Sequence, residues 1–245
     1  MWMEGSTSGV YRMWFQHMDM NRIPFYQYNT IIVGTGAAGL NAAVTLHKLG
    51  QKNIALITEG RYMGTSRNTG SDKQTYYKLT QCGSEPDSVR KMAETLFDGG
   101  CVDGDIAMAE AAGSLRAFYH LVDIGVPFPF NKSGEYVGYK TDHDPLKRGI
   151  SAGPLTSKYM TECLERQAEE RGIPFFDGYQ AVRLLTEEKD GEKRAAGIIA
   201  LNKQKAASPD ERYAVFSAVN IIWATGGEAG MYQASVYPVS QTGGM

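Results

Sequence analysis

Thr30-Ile31-Ile32-Val33 is a short β-branched run closed by Gly34, the pattern of a buried strand. From Ala37 to Leu49 the apolar residues return at helical spacing and stop at Gly50, a residue suited to the position after a helix end. Ile54 to Thr58 is a second apolar run, so residues 30–58 read as strand, helix, strand, with the two strands parallel. Val89, Met92, Ala93, Leu96 and Phe97 fall at i, i+3, i+4, i+7 and i+8 and predict an amphipathic helix. Asp103 is placed to cap another helix running to about Val122 and ending at Gly125. Residues 126–145 are loop-like, with three prolines and the turn signal Ser133-Gly134. Tyr159, Met160, Cys163, Leu164, Gln167 and Ala168 mark a fourth helix, stopped by Gly172. Strands are expected at 173–177, 181–187, 195–201, 212–217 and 220–225, with Lys189-Asp190-Gly191 turning the second into the third as a hairpin. Helices alternate with parallel strands and an antiparallel meander is inserted late, which makes the class α/β.

Composition narrows the setting. Hydrophobic residues form 42% of the 245 and charged residues 21%, enough apolar material for a core and too much for a disordered chain. Lys and Arg number 25 against 27 Asp and Glu, a balance that gives no electrostatic reason to bind nucleic acid or an anionic membrane. Cys82, Cys101 and Cys163 are odd in number and far apart. They make neither a disulfide framework nor a CxxC motif and point to a reducing, cytoplasmic compartment. No apolar run approaches the roughly 20 residues of a membrane-spanning helix. Residues 1–28, rich in Met and aromatic side chains, lack the features of a secretory signal. They are read as an N-terminal extension that packs on the folded body, or alternatively as a partner-binding arm.

The strongest chemical signal is Gly34-Thr35-Gly36-Ala37-Ala38-Gly39, with Glu59 twenty residues beyond Gly39. Gly34 allows a tight turn from strand to helix, Gly36 lets the backbone approach a pyrophosphate, and Gly39 lets helix and strand pack closely. The helix start beyond them offers unpaired N–H groups and partial positive charge to phosphates. Glu59 ends the second strand, where a carboxylate accepts from both ribose hydroxyls and repels a 2′-phosphate, which argues for a dinucleotide other than NADP. The expected fold is therefore Rossmann-like.

Ala43 and Gly50 extend the motif to GxGxxG-x3-A-x6-G, which resembles the FAD fingerprint of the glutathione-reductase-like flavoproteins. Gly64-Thr65-Ser66, Arg148, Thr156-Ser157, Ala224-Thr225-Gly226-Gly227 and Thr242-Gly243-Gly244-Met245 then fall in the order seen in one family. The chain resembles the fumarate reductase/succinate dehydrogenase flavoproteins, with L-aspartate oxidase and soluble fumarate reductases, over about residues 29–245. The resemblance implies an FAD-binding domain at 29–245. It implies cofactor contacts at Gly34, Gly36, Ala37, Ala38, Gly39, Glu59, Gly60, Gly64, Thr65, Ser66, Ala181, Ala224, Thr225 and Gly226. It further implies hydride exchange between flavin N5 and a small, organic acid-like substrate. Three departures qualify it. The membrane dehydrogenases carry their covalently linked histidine in Ser-His-Thr, whereas this chain has Ser66-Arg67-Asn68, so noncovalent FAD is expected. A Gly-Gly beside the flavin ring is replaced by Thr69-Gly70-Ser71-Asp72-Lys73-Gln74, and Thr-Gly-Asp by Thr242-Gly243-Gly244, which points to a divergent substrate. The family's capping domain and catalytic residues follow the last of these motifs, so the domain is read as incomplete and no catalytic residue is assigned. The chain alone is expected to be inactive. Two functions stand: the FAD-binding portion of an oxidoreductase, or an FAD-binding module without turnover of its own.

Other groups are weighed on their residues. Asp142-His143-Asp144 is read as a loop hydrogen-bond cluster, with a general base as the alternative and poor geometry for a metal. Arg61, Arg67 and Lys73 are candidates to neutralise a pyrophosphate or an anionic substrate. His47 and His120 are read as ordinary helix residues, and the cysteines as inert. No metal site is expected.

Overall fold

The computed structural model describes residues 23–71, 74–82, 86–142, 144–209, 211–235, 237, 238 and 241. The expectations placed on residues 1–22, Asp72, Lys73, His143 and 242–245 lie outside the described residues. In chain order the elements begin with β1 (Phe25–Val33), α1 (Ala37–Lys48), β2 (Ile54–Thr58) and the short α2 (Thr65–Asn68). There follow β3 (Tyr76–Tyr77), α3 (Val89–Asp98), α4 (Gly104–Asp123), β4 (Gly149–Ile150) and α5 (Thr156–Glu170). The chain closes with β5 (Phe175–Asp177), β6 (Tyr179–Lys189), β7 (Glu192–Asn202), a 3₁₀ turn (Lys203–Lys205) and β8 (Tyr213–Trp223). Contacts divide it into two units, one made of 1–68 with 164–245 and the other of 69–163.

The first unit is built on one six-stranded sheet in the order β5-β2-β1-β8-β7-β6. The strands β5, β2, β1 and β8 run parallel, while β8, β7 and β6 are antiparallel neighbours. All five residues of β2 are buried, as expected of a parallel strand covered on both faces. One face gathers Ile31, Val33, Ile57, Ala181, Ile198, Ala214 and Phe216, edged by Tyr26, Phe176, Tyr179 and Trp223. Tyr26 stacks on Phe216 with centroids 4.9 Å apart. The helix α1 lies against β1, β2 and β8 and buries Leu40, Ala43 and Val44.

Two expectations are corrected here. The strands expected at 212–217 and 220–225 are a single strand, β8, that ends at Trp223. It pairs antiparallel with β7 through Tyr213–Ser217 and parallel with β1 through Val215–Trp223. Neither glycine nor proline interrupts Ala218-Val219, so nothing in the backbone stops the strand. The meander is therefore continuous with the parallel strands rather than a separate layer. The second correction is at β1, which starts at Phe25 instead of Thr30. Phe25 to Tyr28, expected in the extension, pair with Val215 to Ala218.

The second unit packs α3 on α4 through Met92, Ala93, Ala107 and Ala111, with Leu79 alongside. Ser88 caps α3 by accepting from Lys91 N at 3.2 Å, and Asp103 caps α4 by accepting from Asp105 N and Ile106 N. Phe118 anchors a second patch with Phe128, Tyr76 and Tyr136. The two-residue strands β3 and β4 pair antiparallel, Tyr76 with Ile150 and Tyr77 with Gly149. Both are too short to carry a periodic signal, which is why the pattern of the sequence does not predict them. Two cations, Arg148 and Lys78, are the largest fully buried side chains of the described residues.

Candidate functional site

The exit of β1 sets the geometry. Gly34 holds φ at +111°, and a Cβ there would stand 2.2 Å from the Ala224 carbonyl oxygen. A Cβ on Gly39 would stand 2.0 Å from the Gly34 carbonyl oxygen. Turn, helix start and the end of β8 thus meet backbone to backbone, an approach only glycine permits at these two positions. Main-chain bonds fix the contact: Gly34 N donates to Ile57 O and Ala224 N to Val33 O, each at 2.8 Å. The N-cap of α1 is Gly36, and no side chain caps the helix from that position. Ser66 Oγ, on α2, accepts from Ala37 N at 3.2 Å. The helix start is otherwise left with the donors and partial positive charge that suit an anion.

In front of it opens a cleft of about 560 Å³, within the roughly 300–1,000 Å³ usual for ligand sites. It lies at the C-terminal ends of β1, β2 and β8, where the chain order of the parallel strands reverses about β1. Gly34, Gly36, Ala37 and Ala38 form one wall; Glu59, Gly60, Gly64, Thr65 and Ser66 form another. Ala181 from β6 and Ala224, Thr225 and Gly226 after β8 complete it. Gly39 sits beneath, buried against Gly34. Also lining the cleft, and absent from the residues expected from sequence, are Thr35, Met63, Tyr179, Gln180, Trp223 and Gln241. Gln241 contacts the Thr65 hydroxyl through its side-chain oxygen, and its backbone oxygen accepts from Ala229 N and Gly230 N. Thr35 lies inside the glycine motif and donates to Thr58 Oγ1 at 3.0 Å. For Gln241 no local signal exists, since its partner Thr65 is far away in the chain.

Charge around the cleft is paired. Lys203 Nζ lies 2.7 Å from Glu59 Oε1. Arg61 and Arg67, candidates for an anion, are instead engaged by α5: Arg61 Nε and Arg67 Nη2 each lie 2.5 Å from a Glu165 oxygen, and Arg61 also meets Glu169. Arg61 stacks over Phe175 at 4.0 Å. Burial works against its charge, but the bonds to Glu165 and Glu169 outweigh it and raise its pKa. The Tyr179 phenol is pushed up to about 12, mainly by burial and then by the bond to Tyr26.

Other residues expected to matter lie elsewhere. In the second unit Arg148 bonds Asp87 through Nε and Nη2 at 2.9 and 2.7 Å, and its Nη1 donates to Thr95 and Tyr77. Asp144 accepts from Leu146 N, Tyr77 and Arg148, which makes it part of this cluster. Thr156 accepts from Ala152 N and Ser157 N donates to Gln74, both as helix-start contacts of α5. None of the three cysteines is in a disulfide. Among the described residues no cluster could hold a metal ion, and no helix is long and apolar enough to cross a membrane.

Comparison with known proteins agrees with this geometry. The L-aspartate oxidase of Agrobacterium fabrum is 27% identical over 220 residues, covering 87% of this chain and 38% of that protein. The succinate dehydrogenase flavoprotein subunit of Rickettsia conorii is 28% identical over 216 residues, covering 84% of this chain and 34% of that protein. The structure of E. coli quinol fumarate reductase shares the fold, with a TM-score of 0.71 at 21% identity, over 86% of this chain and 34% of that one. The chain spans 38–42% of the length of three L-aspartate oxidases it matches. A family model described as FAD binding domain matches residues 29–245, and the chain belongs to that family, beside the aspartate oxidase, succinate dehydrogenase and fumarate reductase flavoproteins.

Proposed function

We propose that this chain is the FAD-binding portion of a flavin-dependent oxidoreductase acting on a small organic acid. The observation that carries the reading is the backbone contact of Gly34, Gly39 and Ala224, which clears one uncapped helix start for a pyrophosphate. The residues fit the cofactor. A side chain on either glycine would force the turn, the helix start and the end of β8 apart, and Glu59 stands at the end of β2 with a carboxylate for ribose. Donors at Ala38 and Gly39, with the Ser66 hydroxyl that Ala37 N engages, would hold the pyrophosphate, and Glu59 would accept from the ribose hydroxyls. The strip Gly60, Gly64-Thr65-Ser66 and the returning Ala224-Thr225-Gly226, with Ala181, would flank the rest. When bound, FAD supplies the centre that exchanges hydride with the substrate. The chain's own work is to orient that cofactor and to keep water from its pyrophosphate.

Attachment is noncovalent in this reading, because Arg67 stands where a linking histidine would be and is occupied by Glu165. The substrate class rests on relatives named for aspartate and succinate. A cytoplasmic location is supported by cysteines without disulfides. The second reading is an FAD-binding module without turnover of its own. Visible absorbance of the purified chain, loaded with FAD and then precipitated with acid, tests the assignment. Flavin released into the supernatant is expected. Flavin retained in the pellet overturns the role given to Arg67, and tight NAD binding in place of FAD overturns the cofactor. Bleaching of the bound flavin by aspartate or succinate would sink the second reading.

A further inference from the structure

One basic residue meets the motif's acidic position from outside the motif. Glu59 Oε1 is 2.7 Å from Lys203 Nζ, and among the described residues Glu59 Oε2 has no partner. The two residues are 144 positions apart yet hang from one corner of the sheet, Asp177-Gly178. The chain just after Glu59 is tied there by Arg61 N donating to Asp177 Oδ1 at 2.8 Å. The 3₁₀ turn is tied there by Lys203 N donating to Gly178 O, also at 2.8 Å. Gly178 takes φ +81°, and the Gln204 side chain lies over the space a Cβ would use. The turn is stiffened further by Asn202, which caps it from Gln204 N and donates to Tyr179 Oη at 3.2 Å. Lys203 is thus aimed at Glu59 by a main-chain anchor at Gly178, the residue directly before the cleft residues Tyr179 to Ala181.

We propose that Lys203 is a positioning and selectivity residue for the adenosine end of the cleft. It holds Glu59 by one oxygen, leaves the other to accept from ribose hydroxyls, and offsets the carboxylate's charge. An unpaired carboxylate at this place repels a 2′-phosphate; with an ammonium at 2.7 Å the pair tolerates one better. The site therefore discriminates against 2′-phosphorylated adenosine ligands less than its acidic residue alone implies. This inference rests on the dinucleotide reading of the cleft.

The test is titration of the full chain with FAD, ADP and 2′-phosphoadenosine 5′-diphosphate, comparing wild type with Lys203→Met and Lys203→Arg. Both partners are partly exposed, so Lys203→Met should weaken ADP and FAD by roughly two- to fivefold. The 2′-phosphorylated ligand should weaken by about tenfold or more, because it loses an attraction and meets an uncompensated carboxylate. Lys203→Arg should restore both affinities and the ratio between them. An unchanged ratio in Lys203→Met, with wild-type ADP binding intact, overturns the role of Lys203 alone. A wild-type chain that binds neither FAD nor ADP overturns the dinucleotide reading and this inference with it.

Discussion

The two units solve opposite problems. The first keeps the centre of its sheet apolar and leaves the charges of its cleft half exposed: Ile31, Ile57, Ile198 and Phe216 are fully buried, while Glu59 and Lys203 stay 38% and 45% exposed. Its most buried ion cluster among the described residues, Glu165 between Arg61 and Arg67, still keeps 11–18% exposure. The second buries full charges, with Arg148 at 0% exposure against Asp87 at 2% and Asp144 at 3%. A sheet with helix cover can be stabilised by apolar area alone, so its polar groups are free to serve a ligand. A small unit with two-residue strands has little such area, and its buried ions hold loops and helices in one arrangement. That arrangement is costly to break, since a lone buried charge is far worse than a buried pair.

The largest effect is expected at Arg148. Its guanidinium bonds Asp87 twice and reaches Tyr77, Thr95 and Asp144. Burial opposes its charge, yet the bonds to Asp87 and Tyr77 raise its pKa above that of an ordinary arginine. Arg148→Met removes the cation and leaves two buried carboxylates, which should cost about 3–5 kcal/mol in urea unfolding. Adding Asp87→Asn and Asp144→Asn to the same chain should recover part of the loss. If Arg148→Met alone is neutral, the second unit does not depend on its ions and the contrast fails.

Next comes the cradle of the first unit. Gly39→Val drives a branched side chain into a backbone oxygen that a bare Cβ would already approach to 2.0 Å. The helix must move away from β1, and FAD binding should fall below detection in the same absorbance titration. Secondary structure by circular dichroism should survive, because the antiparallel pairing of β6, β7 and β8 does not run through this position. Full FAD affinity in Gly39→Val would mean that the close approach is not what clears the cleft.

Lys78 gives a smaller effect with the opposite sign. It is 1% exposed, donates only a long 3.4 Å bond to Leu79 O and lies 4.9 Å over the Phe118 ring. Burial lowers its pKa, with the nearby Cys82 opposing weakly. The unfolded chain therefore binds this proton more readily than the folded one. The penalty is fully present below the folded pKa and fades as pH rises towards the ordinary lysine value of about 10.4. Asp87 acts at the other end: burial would raise its pKa, but bonds from Arg148, Thr80 and Ser88 lower it. Its stabilisation is present above the ordinary carboxylate range and is lost as pH falls through it. Lys78→Met should raise stability by about 1–2 kcal/mol at neutral pH and remove the gain on the alkaline side. A variant less stable than wild type would show that the Phe118 contact compensates the ammonium fully.

These contrasts also explain what the sequence made legible. Ile31 to Val33, Leu40, Ala43 and Ile54 to Ile57 announce themselves by period and by the glycines between them, because strand, turn and helix are local events. The fourteen cofactor positions include Gly64 and Ala224 only through a family resemblance, since their place in the cleft depends on contacts far along the chain. Lys203, Gln241 and the partners of Arg61 and Arg67 carry no local mark at all. Arg67 in particular has the charge of an anion ligand, and only the fold shows that Glu165 takes it. In the second unit the failure is deeper: Arg148, Asp87 and Lys78 look like solvent-facing residues, and burial of a charge is invisible until its partners are known.

The smallest effect is the sharpest check on that view. Arg90 and Glu94 on α3 form the same type of ion pair as Arg148 and Asp87, with Nε 2.8 Å from Oε1. They are 83% and 56% exposed, and water screens both charges. Holding two long side chains together costs entropy that such a pair barely offsets, so most exposed pairs contribute little that can be measured. Arg90→Ala leaves Glu94 fully hydrated rather than buried and unpaired, and alanine favours the helix as well as arginine does. The urea midpoint should stay at the wild-type value, while Arg148→Met moves it far. Ion pairs of closely similar bond length would then give effects at opposite ends of the scale, separated by burial and by the further partners that burial supplies to Arg148. A midpoint that drops in Arg90→Ala as far as in Arg148→Met would show that the charge pair, wherever it lies, is what the second unit needs.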